Sequence, residues 1–296
     1  MDRKLDKVLL RSENRSAVIQ PLGAELASYK VGEREYIWQA LPSIWARHAP
    51  LLFPIVGRLK ENQFSFQGKN YSLPQHGFAR DRVFELVAHS ATSASFLLCS
   101  DSDTLVNYPF DFELWVVYTL IEEGLEVSYR VINRSAEPMY FSIGAHPGFL
   151  CPLDPEAEQF SDYIMDFEDR TRSEVLLYPL EQGYVSTAKV PFSVTQGKVA
   201  LREDMFDNDA LIMDVFPPSR VSVRHKDTGR GFGMEFGAFK WLGIWSKGPG
   251  AGFICLEPWS GVADTIDHDG DLTRKLGIQY LNAKGQFSSS YQMFFW

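Results

Sequence analysis

The sequence has no run of about 18 or more apolar residues, the minimum for a helix that crosses a bilayer, so no membrane span is expected. Its opening residues, MDRKLDKVLLRSENRS, are charged and lack an apolar segment followed by a small-residue cleavage site. No secretory signal is expected from them. Cysteine is scarce: Cys99, Cys151 and Cys255 are an odd number, widely spaced, with no C-x-x-C pair. Each sits among apolar neighbours and reads as a buried, reduced thiol rather than part of a disulfide frame. These absences point to the cytoplasm, where the sequons at Asn14 and Asn133 carry no meaning. Basic runs are missing as well, and the net charge is -9. Nucleic acid is therefore not an expected partner, because affinity for it rests on neutralising phosphates. The acidity serves solubility.

Helical periodicity is also nearly absent. A short turn of helix is expected around Pro42–Arg47 and another near Arg202–Phe206. What fills the chain instead is alternation. In FELWVVYTL, Phe112, Leu114, Val116, Tyr118 and Leu120 fall on one side; in LEVSYRVIN, Leu125, Val127, Tyr129 and Val131 do the same. Glu122, Glu123 and Gly124 lie between, so the pair reads as a hairpin. Further strands are expected at SAVIQ, YIWQ, NQFSFQ, VFELVAH, SFLLCS, ALIMDVF, RVSVRH, GFICLE and SYQMFFW. Gly, Pro, Asn and Asp separate them. Many short strands without helices between them predict an all-β fold, a large antiparallel β-sandwich with few short helices. No repeat of fixed period suggests a propeller. No low-complexity linker divides the chain, so residues 1–296 are expected to form one domain. At 45% hydrophobic residues, it can build a core of that size.

Metal-binding patterns are lacking too. The six histidines form no H-x-H or H-E-x-x-H motif and no Cys/His cluster. DHDGDL (267–272) has its glycine in the wrong place for an EF-hand loop and reads as a solvated acidic turn. GPGAG (248–252) opens no helix and reads as a hairpin loop rather than a phosphate cradle. Neither a metal nor a cofactor is expected.

Three stretches place an ionisable side chain at the end of an apolar strand, where burial is costly unless the group is paired or used. LPQHGFARD carries His76, Arg80 and Asp81. IGAHPGF sets His146 between Gly144-Ala145 and Pro147-Gly148. FICLEPWSGVAD ends its strand in Glu257. Taken singly, each has an ordinary explanation: a hydrogen-bonded histidine, a carboxylate paired with an arginine, a capped turn. Together they suggest a cleft with two imidazoles and a carboxylate, near Trp45, Trp245 and Trp259, whose faces suit the C–H groups of a sugar ring. An imidazole that donates a proton and a carboxylate that accepts one suit acid–base isomerisation without a metal, such as the exchange of sugar anomers. The small residues around His146 suggest room for a ligand to reach the ring.

At these residues the sequence resembles the aldose 1-epimerases, the galactose mutarotases, most closely their LacX-like branch. The resemblance runs through nearly the whole chain. Its markers are APLLFPIVGRL (49–59), LPQHGFARD (73–81), GAHPGF (144–149), NDALIM (208–213) and ICLEPWSGVAD (254–264), which stand in the family's order. It implies a galactose mutarotase-like supersandwich, with His146 as general acid and Glu257 as general base. It further implies that His76 hydrogen-bonds the sugar and Asp209 holds its hydroxyls. Typical galactose mutarotases carry an Asn-Arg-Ile motif soon after their Gly-Arg, whereas GRLKENQF offers Glu61 and Asn62 there. Arg58 or Arg47 is the expected replacement, and Trp245 a further sugar contact. The HGFAR segment is shared with the hexose-6-phosphate epimerases, whose arginine helps bind phosphate, so Arg80 makes a sugar phosphate the second substrate candidate. That branch has an Arg-Gly-Gly segment before its Phe-Pro or Trp-Pro, and WARHAP lacks both glycines. A non-catalytic carbohydrate-binding protein is the reading from another class; it needs the tryptophans but not His146 and Glu257 as a pair. Glycoside hydrolysis would need a second carboxylate, and Asp264 or Asp209 in that role leaves His146 unexplained. The expected partner is a small sugar, bound by a monomer or homodimer.

Overall fold

Alternation governs the strands. Phe112–Ile121 buries every second side chain, and Gly124–Asn133 does so over most of its length. The two pair in antiparallel register through Ile121↔Gly124, so Glu122 and Glu123 alone form the connection. Gly124 belongs to the ladder, because a Cβ there would lie 1.8 Å from the Met293 carbonyl oxygen on the neighbouring strand. The computed structural model describes residues 6–216 and 219–296.

Two large sheets dominate, one of nine strands and one of eight, with a four-stranded sheet formed by the first strands of the chain. The strand pairs inside both large sheets are antiparallel. In the eight-stranded sheet, Leu211–Asp214, Trp241–Trp245 and Phe253–Trp259 run side by side, and the next positions are taken by Gly144–Ala145 and then Leu51–Leu52. Leu242, Ile244, Ile254 and Leu256 point from this sheet into one apolar cluster shared with Phe96, Val116, Val127 and Phe232 of the other sheet. Phe149 and Phe232 stack across the interface, 4.5 Å between centroids. The result is a sandwich whose core is the space between the sheets.

Side chains alternate across a sheet, so the opposite face of the same strands carries Trp241, Trp245, Cys255, Glu257 and Trp259. That face is turned away from the core and builds the site.

Some expected elements differ. YIWQ is a single bridge, Ile37↔Phe149, rather than a strand. The Glu35 carboxylate takes the Ile37 N–H at 2.9 Å, which withdraws it from a ladder, and shares the Tyr36 N–H with the Tyr29 carbonyl, each at 3.0 Å. Pro42–Arg47 is one open turn and no helix; the Trp45 carbonyl accepts the Trp38 indole N–H at 2.8 Å instead of continuing a helical bond. Glu203–Phe206 is the expected helical turn. The α-helix Ser102–Asn107, capped by Asp101, was not foreseen. GPGAG is the connection between the antiparallel strands Trp241–Trp245 and Phe253–Trp259. No helix among the described residues is long and apolar enough to cross a membrane.

Candidate active site

The strand Phe253–Trp259 is buried at every position. Its neighbour pairs with it as Gly144↔Trp259 and Gly148↔Cys255. The same register puts His146 opposite Glu257. Pro147 has no N–H to give the ladder, and the regular pairing lapses at His146 and Pro147 while the chain stays alongside. Cross-strand neighbours are the closest side chains a sheet offers, and His146 Nε2 lies 3.2 Å from Glu257 Oε2.

The two atoms are near but not aligned as a hydrogen bond. Glu257 Oε2 has no hydrogen-bond partner although it is buried, and neither has His146 Nδ1. Burial pushes the Glu257 pKa well up, helped by the negative charge of Asp209. Burial pushes the His146 pKa down to about 3, and the positive charges of Arg80 and Arg47 add to the fall. Each group alone is thus driven toward its neutral form. At this separation the two titrate as a coupled pair rather than as independent groups.

The pair lies at the base of a cleft of about 660 Å³. Trp45 and Trp245 flank His146, with ring centroids 5.0 and 5.7 Å from the imidazole. The small residues around His146 serve these walls. A Cβ on Gly148 would stand 2.9 Å from the Trp45 ring, and one on Gly144 would stand 2.6 Å from the Trp259 ring. They make room for tryptophans rather than for a ligand's path. The segment bearing Trp45 is anchored from below. Glu25 accepts the His48 and Ala49 N–H groups, both at 2.9 Å, and the His48 ring nitrogen Nδ1 meets the Trp38 carbonyl at 2.7 Å.

His76 stands across from His146, 5.8 Å between ring centroids. Its backbone is left-handed at φ 67, a conformation unusual outside glycine. The Gly57 N–H donates to His76 Nδ1 at 3.1 Å. In the neutral ring the proton therefore sits on Nε2, beside the Gln75 side-chain amide at 3.3 Å. Burial first, then the neighbouring charges, hold the His76 pKa well below its ordinary value. Asp209 is also left-handed, at φ 77, and is exposed on the cleft wall. The Ala210 N–H donates to its Oδ1 at 2.8 Å. The Trp259 indole N–H meets no acceptor in hydrogen-bonding geometry, although it is close enough to Glu257 to favour the charged carboxylate.

Of the residues singled out from the sequence, His76, His146, Glu257, Asp209, Arg58, Arg80 and Trp245 all line this one cleft. Arg47 does not. Its guanidinium is bound to Asp81 at 2.8 Å in a partly exposed pair, and its positive charge acts on His76 and His146. Arg80 donates to the Gln75 carbonyl at 2.7 Å, and its buried Nε has no hydrogen-bond partner but lies 3.8 Å from the Asp81 carboxylate. Sequence reasoning missed Lys247, Gln75, Asp207 and Gln182, which also line the cleft. The one signal for Lys247 was its position two residues after Trp245. Gln182 comes from the connection of a small hairpin that no alternation announced.

The chain has relatives along nearly its whole length. The sequence model of the family described as aldose 1-epimerase matches residues 6–277. The LacX proteins of Lactococcus lactis subsp. lactis, one chromosomal and one plasmid-borne, are each 32% identical over 274 residues, covering 90% of this chain and 91% of theirs. A solved galactose mutarotase related enzyme from Lactobacillus acidophilus superposes with a TM-score of 0.92 at 35% identity, covering 98% of this chain and 97% of that one. A galactose mutarotase-like protein from Lactobacillus casei does so with a TM-score of 0.89 at 26% identity, covering 98% and 99%.

Proposed function

The chain belongs to the aldose 1-epimerase family, and on that premise we propose that it interconverts the α and β anomers of an aldose through His146 and Glu257. The observation that supports this most is the buried pair, 3.2 Å apart with a free carboxylate oxygen, at the base of a tryptophan-walled cleft.

The steps follow from the positions. The sugar ring packs its C–H faces against Trp45 and Trp245. His76 donates from Nε2 to one hydroxyl, and Asp209 accepts from others. Glu257 as carboxylate takes the C1-hydroxyl proton, and His146 as imidazolium protonates the ring oxygen. The bond from C1 to the ring oxygen breaks and leaves an open-chain aldehyde. Rotation about C1–C2 and closure, with both protons returned, give the other anomer. While the chain is open the pair holds a neutral imidazole and a carboxylic acid, the arrangement burial favours. The site is therefore electrostatically suited to the species formed on ring opening.

The test is anomeric exchange followed by NMR on a panel of free aldoses and their 6-phosphates. His146→Asn and Glu257→Gln are expected to fold and to lose roughly 10²–10⁴-fold in rate, as for loss of one proton-transfer partner. Rates close to wild type in either variant would reject the assignment. Binding of sugars without acceleration of exchange would favour a non-catalytic binding protein.

One observation favours a sugar phosphate as a second reading. Arg80 lines the cleft, and its buried Nε has no hydrogen-bond partner, the Asp81 carboxylate standing 3.8 Å away; a guanidinium so placed suits an anionic group. Arg80→Ala is then expected to weaken turnover of 6-phosphates selectively. Equal losses for free and phosphorylated sugars would give Arg80 a structural role.

A further inference from the structure

The proposed function uses His146 and Glu257 but gives no task to the thiol beside them. Cys255 and Glu257 are two residues apart on one strand and project from the same face. His146 reaches toward both from the neighbouring strand. One donor atom from each of His146, Cys255 and Glu257 lies within 4.8 Å of the other two. Glu257 is 1% exposed, and its Oε2 has no hydrogen-bond partner.

We propose that His146, Cys255 and Glu257 form a binding site for a soft divalent cation, zinc or cadmium, in the floor of the cleft. The argument is one of donors, distances and charge. Thiolate, imidazole and a single carboxylate suit zinc and cadmium; magnesium and calcium demand more oxygen ligands than this set supplies. Zinc bonds of 2.0–2.3 Å in tetrahedral array place ligand atoms about 3.3–3.6 Å apart. His146 Nε2 and Glu257 Oε2 are already 3.2 Å apart, and Cys255 has to close by about 1.2 Å at most to meet the upper end of that range. His146 and Glu257 line the cleft, and Cys255 is fully buried beneath them. On binding, the thiol proton and the carboxyl proton that burial favours on Glu257 leave to solvent. Thiolate and carboxylate then balance the dication, so the buried site is neutral overall. Because the ion occupies both proton-transfer groups, it excludes the sugar chemistry; this consequence rests on the function proposed above, whereas the binding does not.

The experiment titrates the purified full-length chain with cadmium chloride and follows the ultraviolet thiolate-to-cadmium absorption. The chain carries Cys99→Ser, because Cys99 is the exposed thiol. One equivalent of cadmium is expected to saturate the band. Cys255→Ala is expected to abolish it. His146→Asn and Glu257→Gln are expected to weaken affinity by at least about 10–100-fold, the cost of disturbing even a ligand's supporting partner. Absence of a band at stoichiometric cadmium, or a band unchanged in Cys255→Ala, overturns the proposal. A band lost in Cys255→Ala but indifferent to His146→Asn and Glu257→Gln also overturns it, since the adduct would then be to the thiol alone. Zinc is expected to slow sugar exchange competitively. A chain that shows the cadmium band without any exchange activity would count against the proposed function and leave the metal site standing.

Discussion

His146 and Glu257 are neighbours because an antiparallel register makes them so, and the residues around them were chosen for the walls of the cleft. Gly144 and Gly148 each lie against an indole, and a Cβ on Gly148 would also stand 3.2 Å from the His48 carbonyl and from the Trp38 Cβ. Gly148→Ala therefore pushes on Trp45 without touching the proton-transfer pair. It is expected to destabilise the protein by about 1–3 kcal/mol, as overpacking does, and to raise KM for the sugar more than it lowers kcat. Urea unfolding and saturation kinetics would show this; an unchanged KM would mean that Trp45 does not position the substrate. The ionisable ends of three apolar strands were readable in the sequence, because burying an unpaired charge is expensive enough to mark a position. Arg47 was read as a sugar contact because nothing in the sequence reveals that Asp81 occupies its guanidinium. Lys247 and Gln182 passed unnoticed because exposed polar residues in connections carry no local signal.

At the scale of elements, what holds the Arg58 side of the cleft is a buried ion pair. The Lys275 ammonium and the Asp264 carboxylate are fully buried and 2.8 Å apart. Asp264 also accepts the Lys60 N–H at 2.9 Å, and its own N–H donates to the Arg58 carbonyl at 2.9 Å. The pair thus ties the turn Leu272–Arg274 to the segment carrying Gly57 and Arg58. Lys275→Met leaves a buried carboxylate without its cation and is expected to cost about 3–5 kcal/mol in urea unfolding. Adding Asp264→Leu should recover part of that, but less than all, because the Lys60 N–H then loses its acceptor. No recovery would show that the loss comes from packing rather than from the stranded charge. The strands themselves were legible wherever alternation ran long, as in Phe112–Ile121. Two short pieces were not: the helix Ser102–Asn107 is too short to display a helical period, and YIWQ has a strand's composition but forms a single bridge, with Glu35 taking the Ile37 N–H.

At the scale of the whole molecule, burial of the cleft's imidazoles makes stability depend on pH. The His76 pKa is well below 6.5 in the folded protein, so the unfolded chain binds the extra proton first on acidification. Stability from this group is complete above about pH 6.5 and declines as pH falls below it toward the folded value. The raised Glu257 pKa makes stability increase as pH falls, which opposes the decrease that the lowered His146 pKa brings. The urea midpoint is expected to fall between pH 7 and pH 5, and less so in His76→Asn, in which asparagine tolerates the left-handed backbone at that position. An equal fall in both would assign the acid lability to other groups.

The amino-acid sequence by itself determined the all-β sandwich, most of its longer strands and most of the ionisable residues singled out for the cleft that they line. Those are consequences of alternation, turn residues and the cost of burying charge, all of which act over a few neighbouring positions. Tertiary structure alone decided which of these residues meet. The register between two strands far apart in the chain sets His146 against Glu257 and brings Cys255 within reach of both, and the fold pairs Arg47 with Asp81. Strand register is a property of the assembled sheet, settled by packing on its two faces, and it is written in no single stretch of the chain.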